Sequence, residues 1–535
     1  MRNKLLFSAL LFLSVFFLTS CAPKTEKLYD QLVIGLESEP ERLSPITIKD
    51  PQTFRIAWQI YEGLLGLDEN GQIVPKIAER WETEDNKIWT FHIRKGIKFH
   101  TSEIFDTPDK TRIVTAHDVL YSYTRFCSSE AYPSFVLTDS IKGAGEYNAK
   151  KADSVEGLKV IDDYTFQIEL NKPEPFFINR ITSPWIAVFP KEAEQEKFKE
   201  LWGFKLAVGT GPYTLISKTD NELVLDKNYN YWDTKSLPIM DKLVFRIIKN
   251  DQLRFTELIK EKIDLMKLPN TLFPLVFDND GTLKEKYMRN FTIKPVCTFN
   301  THLIGINLKQ VQDVHLRRAM FYGANRDEMV QQILYGYGEV IGGAVPPGMN
   351  NYIPLFENIY NPEKAREELK LSHYDGDEIE LLIHDLANSE QIGQIFQRQM
   401  NDIGIMIKLV KLDFNSVIGK MVKGDSQLFS MFADIVFSSP EPLLINLFTT
   451  AKIPVPNFWN YSNENVDQQL ESLRDLNDRK KSVKDSAKIE KVIMSTVPAV
   501  FLYRQENVVM YSDKFKNLKI NEHNHYMFGK LKKAE

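Results

Sequence analysis

Ile77–His100 reads IAERWETEDNKIWTFHIRKGIKFH and, after a polar excursion, Ile113–Arg125 reads IVTAHDVLYSYTR. In the first stretch Trp89, Phe91 and Ile93 alternate with Thr90, His92 and Arg94. A period of two marks a strand with one buried face. Gly96 ends that strand, and the run Ile97–Phe99 predicts the return arm of a hairpin turning at Lys95-Gly96. Thr115 has the residue type of a helix N-cap, and Asp118 stands three positions on, where a capping box needs it. Val119, Leu120 and Tyr123 then lie along one helical face. The pattern alone describes a hairpin followed by a helix, an ordinary α+β core.

The chain of 535 residues is too long for one hydrophobic core, so roughly two to four domains are expected. Its 43% hydrophobic and 26% charged residues are those of an ordinary globular protein. Basic residues number 67 against 72 acidic, a net charge of −5, which excludes nucleic acid as a partner for the chain as a whole. The nine histidines show no His-Glu-x-x-His spacing and the cysteines no Cys-x-x-Cys, so no metal site and no cofactor is expected. His523 and His525 alternate near the C-terminus as an exposed strand edge would. No Gly-x-Ser-x-Gly elbow or pair of acid and base carboxylates stands out, so an enzyme such as a secreted peptidase has nothing to carry its nucleophile. Gly209 and Gly211 read as a tight turn between strands and not as a phosphate loop, because no lysine followed by Ser or Thr stands at the required spacing.

At the N-terminus, Arg2 and Lys4 precede an apolar run, Leu5–Leu18, that is short for a membrane span and reads as a signal peptide. It stops at Leu18-Thr19-Ser20-Cys21, which resembles the lipobox of bacterial lipoproteins. That implies acylation at Cys21, a tether over Ala22–Lys27, and a folded part held outside the cytoplasm at a membrane. The competing expectation is an uncleaved anchor.

The wording of the central stretch is more specific than its pattern. Ala78-Glu79-Arg80-Trp81-Glu82, Phe91-His92-Ile93-Arg94, Lys98-Phe99-His100 and Thr115-Ala116-His117-Asp118-Val119 resemble the signature region of the extracytoplasmic solute-binding proteins that feed peptide and nickel ABC transporters. The polar stretch Thr101–Arg112 is longer than the family's usual Asp-Gly turn. Gly209-Thr210-Gly211-Pro212-Tyr213, Asn228 to Trp232, the strand Leu303–Asn307 and the helix opening at Asp313 continue the likeness across the mature chain.

The resemblance implies an α/β fold of the periplasmic-binding-protein type (type II, cluster C), with two main lobes, an inserted domain and a hinge-closing cleft. Residues 1–20 are expected as signal peptide; 21–65, 186–292 and 504–535 as lobe I; 66–185 as inserted lobe II; and 293–503 as lobe III. IYEGLL, Ile60–Leu65, resembles the hinge into lobe II. Implied partners are short peptides, an ABC permease complex and a membrane reached through the lipid anchor, with the protein a monomer. Implied alternatives are murein-derived peptides, glutathione-like peptides, dipeptides, haem or nickel chelates, or a surface interaction lipoprotein.

Phe432-Ala433-Asp434 matches the Ala-Asp-Tyr of peptide-binding relatives, in which the aspartate pairs with the ligand's α-ammonium. A carboxylate shut in a cleft favours a ligand that brings a cation. Ile435 replaces the usual tyrosine, Met431 stands where a pocket-lining tryptophan often sits, and Leu428 where some relatives have arginine. Tyr132, Phe135 and Tyr503 are the aromatic candidates for the cavity lining, and Ile48 and Lys49, just after Pro45, are candidates for the cleft edge. Cys127 and Cys297 fall in different expected lobes and are read as free thiols.

Overall fold

The computed structural model describes residues 30–183, 185–349, 352–356, 359–386, 388–434, 439–474 and 479–534, without the side chains of Pro51, Asp434, Arg474, Arg479 and Lys480. The signal segment, Cys21, the tether, Pro184 and Ile435 lie outside the described residues.

One eleven-stranded mixed sheet organises the molecule. From one edge its strands are Ile407–Lys411, Ile379–Ile383, Leu428–Asp434, Phe291–Ile306, Ala499–Ser512, Leu265–Leu268, Gln31–Leu36, Lys242–Ile247, Glu222–Lys227 and Tyr213–Lys218, with Gly338–Val340 pairing onto Ala499–Ser512. We call the end holding Gln31–Leu36 lobe I and the end holding Leu428–Asp434 lobe III. The two long strands, Phe291–Ile306 and Ala499–Ser512, run through both. Their antiparallel pairing is regular from Phe291↔Ser512 to Cys297↔Glu506 and resumes at Thr301↔Arg504. Between these stretches the register shifts. Such irregularities bend a sheet and re-aim side chains, so the crossing between the lobes falls at Thr298–Asn300.

Lobe II is a separate antiparallel sheet, Ala78–Glu82, Ile88–Ile93, Thr165–Glu169 and Leu158–Asp162, with the helix Ala116–Cys127 beside it. The alternation read in the sequence holds: Trp89, Phe91 and Ile93 are buried. The capping box holds too, with Thr115 N–H donating to Asp118 Oδ2 at 2.9 Å. The hairpin does not. Ile97–Phe99 forms only one bridge, Lys98 to Ile113, and pairs with the far end of the polar excursion instead of the preceding strand. Arg112 then ties the excursion down, donating to Asp118 at 2.6 and 2.9 Å and to Glu192 at 2.7 and 2.9 Å.

Gly209 and Gly211 are also needed for another reason than a tight turn. A Cβ on Gly209 would stand 2.2 Å from the Ile60 carbonyl oxygen, and one on Gly211 2.7 Å from that of Gln59. Close approach of two backbones at the end of the helix Pro51–Ile60, and not a special φ, excludes side chains there.

Lobes I and II share one hydrophobic core, lobe III has its own, and a third, smaller core lies beside Leu265–Leu268. The C-terminal tail packs against the helix Pro51–Ile60: Gln59 Nε2 donates to the Tyr526 carbonyl at 3.0 Å, and the Arg55 guanidinium lies 4.5 Å over the Tyr526 ring.

Candidate functional site

The joint into lobe II is built around Glu62, which is 7% exposed. Its carboxylate accepts from Lys76 Nζ at 3.3 Å, Thr210 Oγ1 at 3.0 Å, Tyr231 OH at 2.8 Å and Trp232 Nε1 at 2.7 Å. A buried carboxylate is tolerated when donors surround it. Thr210, Tyr231 and Trp232 belong to the Gly-Thr-Gly-Pro-Tyr and Asn-x-x-Tyr-Trp stretches of the sequence. Both motifs thus meet on the acidic residue of IYEGLL.

On the lobe III side, the strand Leu428–Asp434 sets Phe432 opposite His302, Ala433 opposite Thr301 and Asp434 opposite Asn300. The Phe432 ring lies 6.0 Å from Phe414, 6.1 Å from His384 and 6.2 Å from His302, and His302 stacks on Tyr503 at 4.8 Å. These five rings make a continuous wall. Burial pulls the His302 imidazole down to about 4, so it is neutral at neutral pH, and burial lowers His384 as well.

A second line of rings runs from the C-terminal segment through lobe I into lobe II. His525 lies on Trp58 at 4.4 Å, Trp58 meets Phe54 at 6.0 Å, Phe54 meets Trp185 at 5.3 Å, and Trp185 meets Phe135 at 5.6 Å. Two cavities flank this line, and Ser183 belongs to both. One, of about 70 Å³, is bounded by Ile48, Trp58, Tyr61, Lys76, His523 and His525. The other, of about 190 Å³, lies between lobe II residues such as Phe135 and Phe176 and lobe III residues such as Ser439 and Glu441. An ion pair from Lys172 to Glu471 joins lobes II and III beside it.

Several candidates from the sequence meet here. Ile48 borders the smaller cavity and Phe135 the larger. Tyr132 packs against Phe135 and Trp185 while 49% exposed. Tyr503 is fully buried in the imidazole wall. Met431 is half-buried against the lobe III core. Lys49 instead pairs with Glu41 at 3.5 Å and borders neither cavity. Asp434 ends the strand beside the wall, and its side chain lies outside the described ones.

His523 and His525 are not an exposed strand edge. They sit in a turn where both backbone N–H groups donate to Asn521 Oδ1 at 3.1 Å, and their rings pack on Phe299 and Trp58. Burial takes His523 down to about 4 and His525 to about 3. Trp58, Trp185, His302, His384 and Glu441 were not singled out by the sequence. Trp185 and Glu441 stand in proline-containing, aromatic or apolar stretches, SPWIAVFPKEA and SSPEPLLINLF, which was the one available signal.

Cys127 is buried and Cys297 half-buried, and neither forms a disulfide. Burial pushes both thiols up to about 12, and a hydrogen bond from Cys297 Sγ to Glu506 Oε1 at 2.9 Å adds to the rise there. High thiol pKa values make both poor nucleophiles.

The sequence profile described as "Bacterial extracellular solute-binding proteins, family 5 Middle" matches residues 72–454. The chain is similar to the dipeptide-binding protein of Escherichia coli (strain K12), 25% identical over 491 residues that cover 88% of either chain. It is similar to the periplasmic oligopeptide-binding protein OppA of Salmonella typhimurium, 29% identical over 311 residues, 56% of this chain and 54% of that one. Among solved structures, HbpA2 from Haemophilus parasuis superposes with a TM-score of 0.80 at 22% identity, covering 94% of this chain and 100% of that one.

Proposed function

This chain belongs to the bacterial extracellular solute-binding proteins of family 5, and on that premise we propose that it captures short peptides between its lobes and presents them to an ABC permease. The observation that carries the proposal is the adjacency, at Ser183, of two ring-lined cavities bounded by lobes I, II and III. A ligand that fills both touches all three lobes, so its binding favours the closed arrangement. The similar dipeptide- and oligopeptide-binding proteins support peptide as the ligand class.

Binding follows from ordinary chemistry. Extended peptide offers main-chain groups shared by every sequence, and pockets of mixed rings and polar groups accept side chains with limited selectivity. Asp434, at the end of the strand beside the wall, is assigned to the ligand's α-ammonium. The lobe bounds expected from sequence, acylation of Cys21 and residence on the outer side of a bacterial membrane complete the proposal. Isothermal titration with free di- to pentapeptides tests it, and heat exchange on titration with tri- or tetrapeptides is the expected result.

A second reading has one observation of its own. The neutral imidazoles of His523 and His525 border the smaller cavity and could complete the coordination of a metal chelate that brings its other ligands with it. Absorption changes on adding a nickel–histidine complex would favour this reading over peptide.

A further inference from the structure

The 190 Å³ cavity between lobes II and III contains a carboxylate that nothing so far employs. Glu441 is 3% exposed. Its Oε1 accepts from Ser482 Oγ at 2.9 Å, while Oε2 is buried and finds no donor among the described residues. Ser439 Oγ and Trp185 Nε1, which belong to the same cavity, are buried and also without a partner among the described residues. Glu441 stands in the first turn of the helix Pro440–Phe448. Leaving one oxygen of a buried carboxylate without a donor is costly, and a cation entering from the cavity removes that cost.

Among the described residues, no ion pair joins a cation of the cavity to Glu441. Among the cavity's basic residues, Lys172 is engaged by Glu471 and Arg180 donates to Glu174 at 2.5 Å. The third, Lys452, makes no described ion pair with Glu441. The rest of the lining is mixed: Asp139, Asn179 and Asn446 are polar, whereas Phe135, Phe176 and the Trp185 ring give the cavity an apolar side. At about 190 Å³ the space is smaller than the roughly 300–1,000 Å³ of a site that encloses a whole small ligand. It suits one side chain. Rings beside an acid fit a long methylene stem with a cationic head, and the aromatic faces add attraction for that head.

We propose that this cavity is a side-chain subsite for lysine or arginine of a bound peptide, with Glu441 receiving the cationic head and Phe135 and Trp185 holding the stem. The subsite rests on the peptide-capture reading. Because Phe135 comes from lobe II and Glu441 from lobe III, an occupied subsite also draws these lobes together.

The test is isothermal titration with tri- to pentapeptides in which one position at a time is lysine, norleucine or glutamate, using wild-type protein and Glu441→Gln. At one position lysine is expected to bind about tenfold tighter than norleucine, the range of a charge-assisted hydrogen bond. Glutamate there binds weakest. In Glu441→Gln the lysine advantage is lost while norleucine affinity is kept. The subsite is overturned if no position prefers lysine to norleucine in the wild type, or if glutamate is favoured, or if the preference survives in Glu441→Gln. The wild-type comparison needs no variant, so misfolding of Glu441→Gln does not shield the proposal. If norleucine peptides bind as tightly as lysine peptides, only the subsite falls; if no peptide of any composition binds, peptide capture falls and the subsite with it.

Discussion

The His302 imidazole stacks on the Tyr503 phenol ring, centroids 4.8 Å apart and planes 29° from parallel, and the two residues face each other across the strands that join lobes I and III. The pairing is one of neutral rings. Protonating His302 would put a charge in a site where burial already depresses its pKa to about 4.

Stability should therefore fall on mild acidification. His100 and His302 are held at about 4, His523 at about 4 and His525 at about 3, all below the ordinary 6.5. Between pH 6.5 and about 4 the unfolded chain binds more protons at these residues than the folded one, so they add stability above pH 6.5 that drains away as pH falls. Denaturant unfolding at pH 7.5 and 5.0 checks this, with a lower midpoint at pH 5.0 expected. His302→Phe should have a smaller pH dependence, and an unchanged one would contradict the assignment.

Glu490 should act in the opposite sense. Burial raises its carboxyl to about 7, although Val345 N–H donates to Oε1 at 2.9 Å. A carboxyl raised in the folded state favours folding below about pH 4.5 and loses that contribution as pH climbs through 7. Glu490→Gln removes the ionisation, so its thermal midpoint should gain on the wild type as pH rises from 6 to 8.5. A constant difference across that range would refute this.

The Glu62 joint sets a larger effect. Glu62→Ala strips four donors of one acceptor, including Lys76, and should destabilise by about 3–5 kcal/mol, the range for breaking a buried charge pair. Chemical denaturation measures it. A loss under about 1 kcal/mol would mean that water replaces the carboxylate at no serious cost.

Thiol labelling tests the packing of lobe II and of the crossing strands. With both thiols pushed up to about 12, Cys127 and Cys297 should resist iodoacetamide at pH 7.5 in folded protein and react together on unfolding. Fast modification of Cys127 in folded protein would contradict its burial.

What the sequence made legible was what neighbouring residues decide. The buried alternation Trp89, Phe91, Ile93 and the Thr115–Asp118 box depend on spacing within a few positions, and both stand in the structure. The partner of Ile97–Phe99 was not legible, because it lies beyond the polar excursion and is held by Arg112 pairing with Asp118 and Glu192. The turn at His523 and His525 was not legible for a related reason: their alternation has the period of a strand, whereas the Asn521 side chain folds that segment into a turn. Trp58 meets Phe54 one turn along the same helix, but Trp185 reaches Phe54 from a distant part of the chain, a tertiary relation with no local pattern. The family likeness pointed to the cleft but not to Glu441, whose significance lies in an oxygen without a donor among the described residues.

Asp434 has its own test. Asp434→Asn should weaken binding of free-amine peptides much more than of their N-acetylated counterparts, read by titration calorimetry. Equal losses would remove Asp434 from the ammonium site.

The most direct test of peptide capture is native mass spectrometry of the protein as purified, followed by denaturation and identification of whatever dissociates. The account predicts a heterogeneous set of short peptides, enriched in lysine and arginine at one position. A single defined small molecule, or an empty protein that short peptides also fail to stabilise against heat, would contradict it.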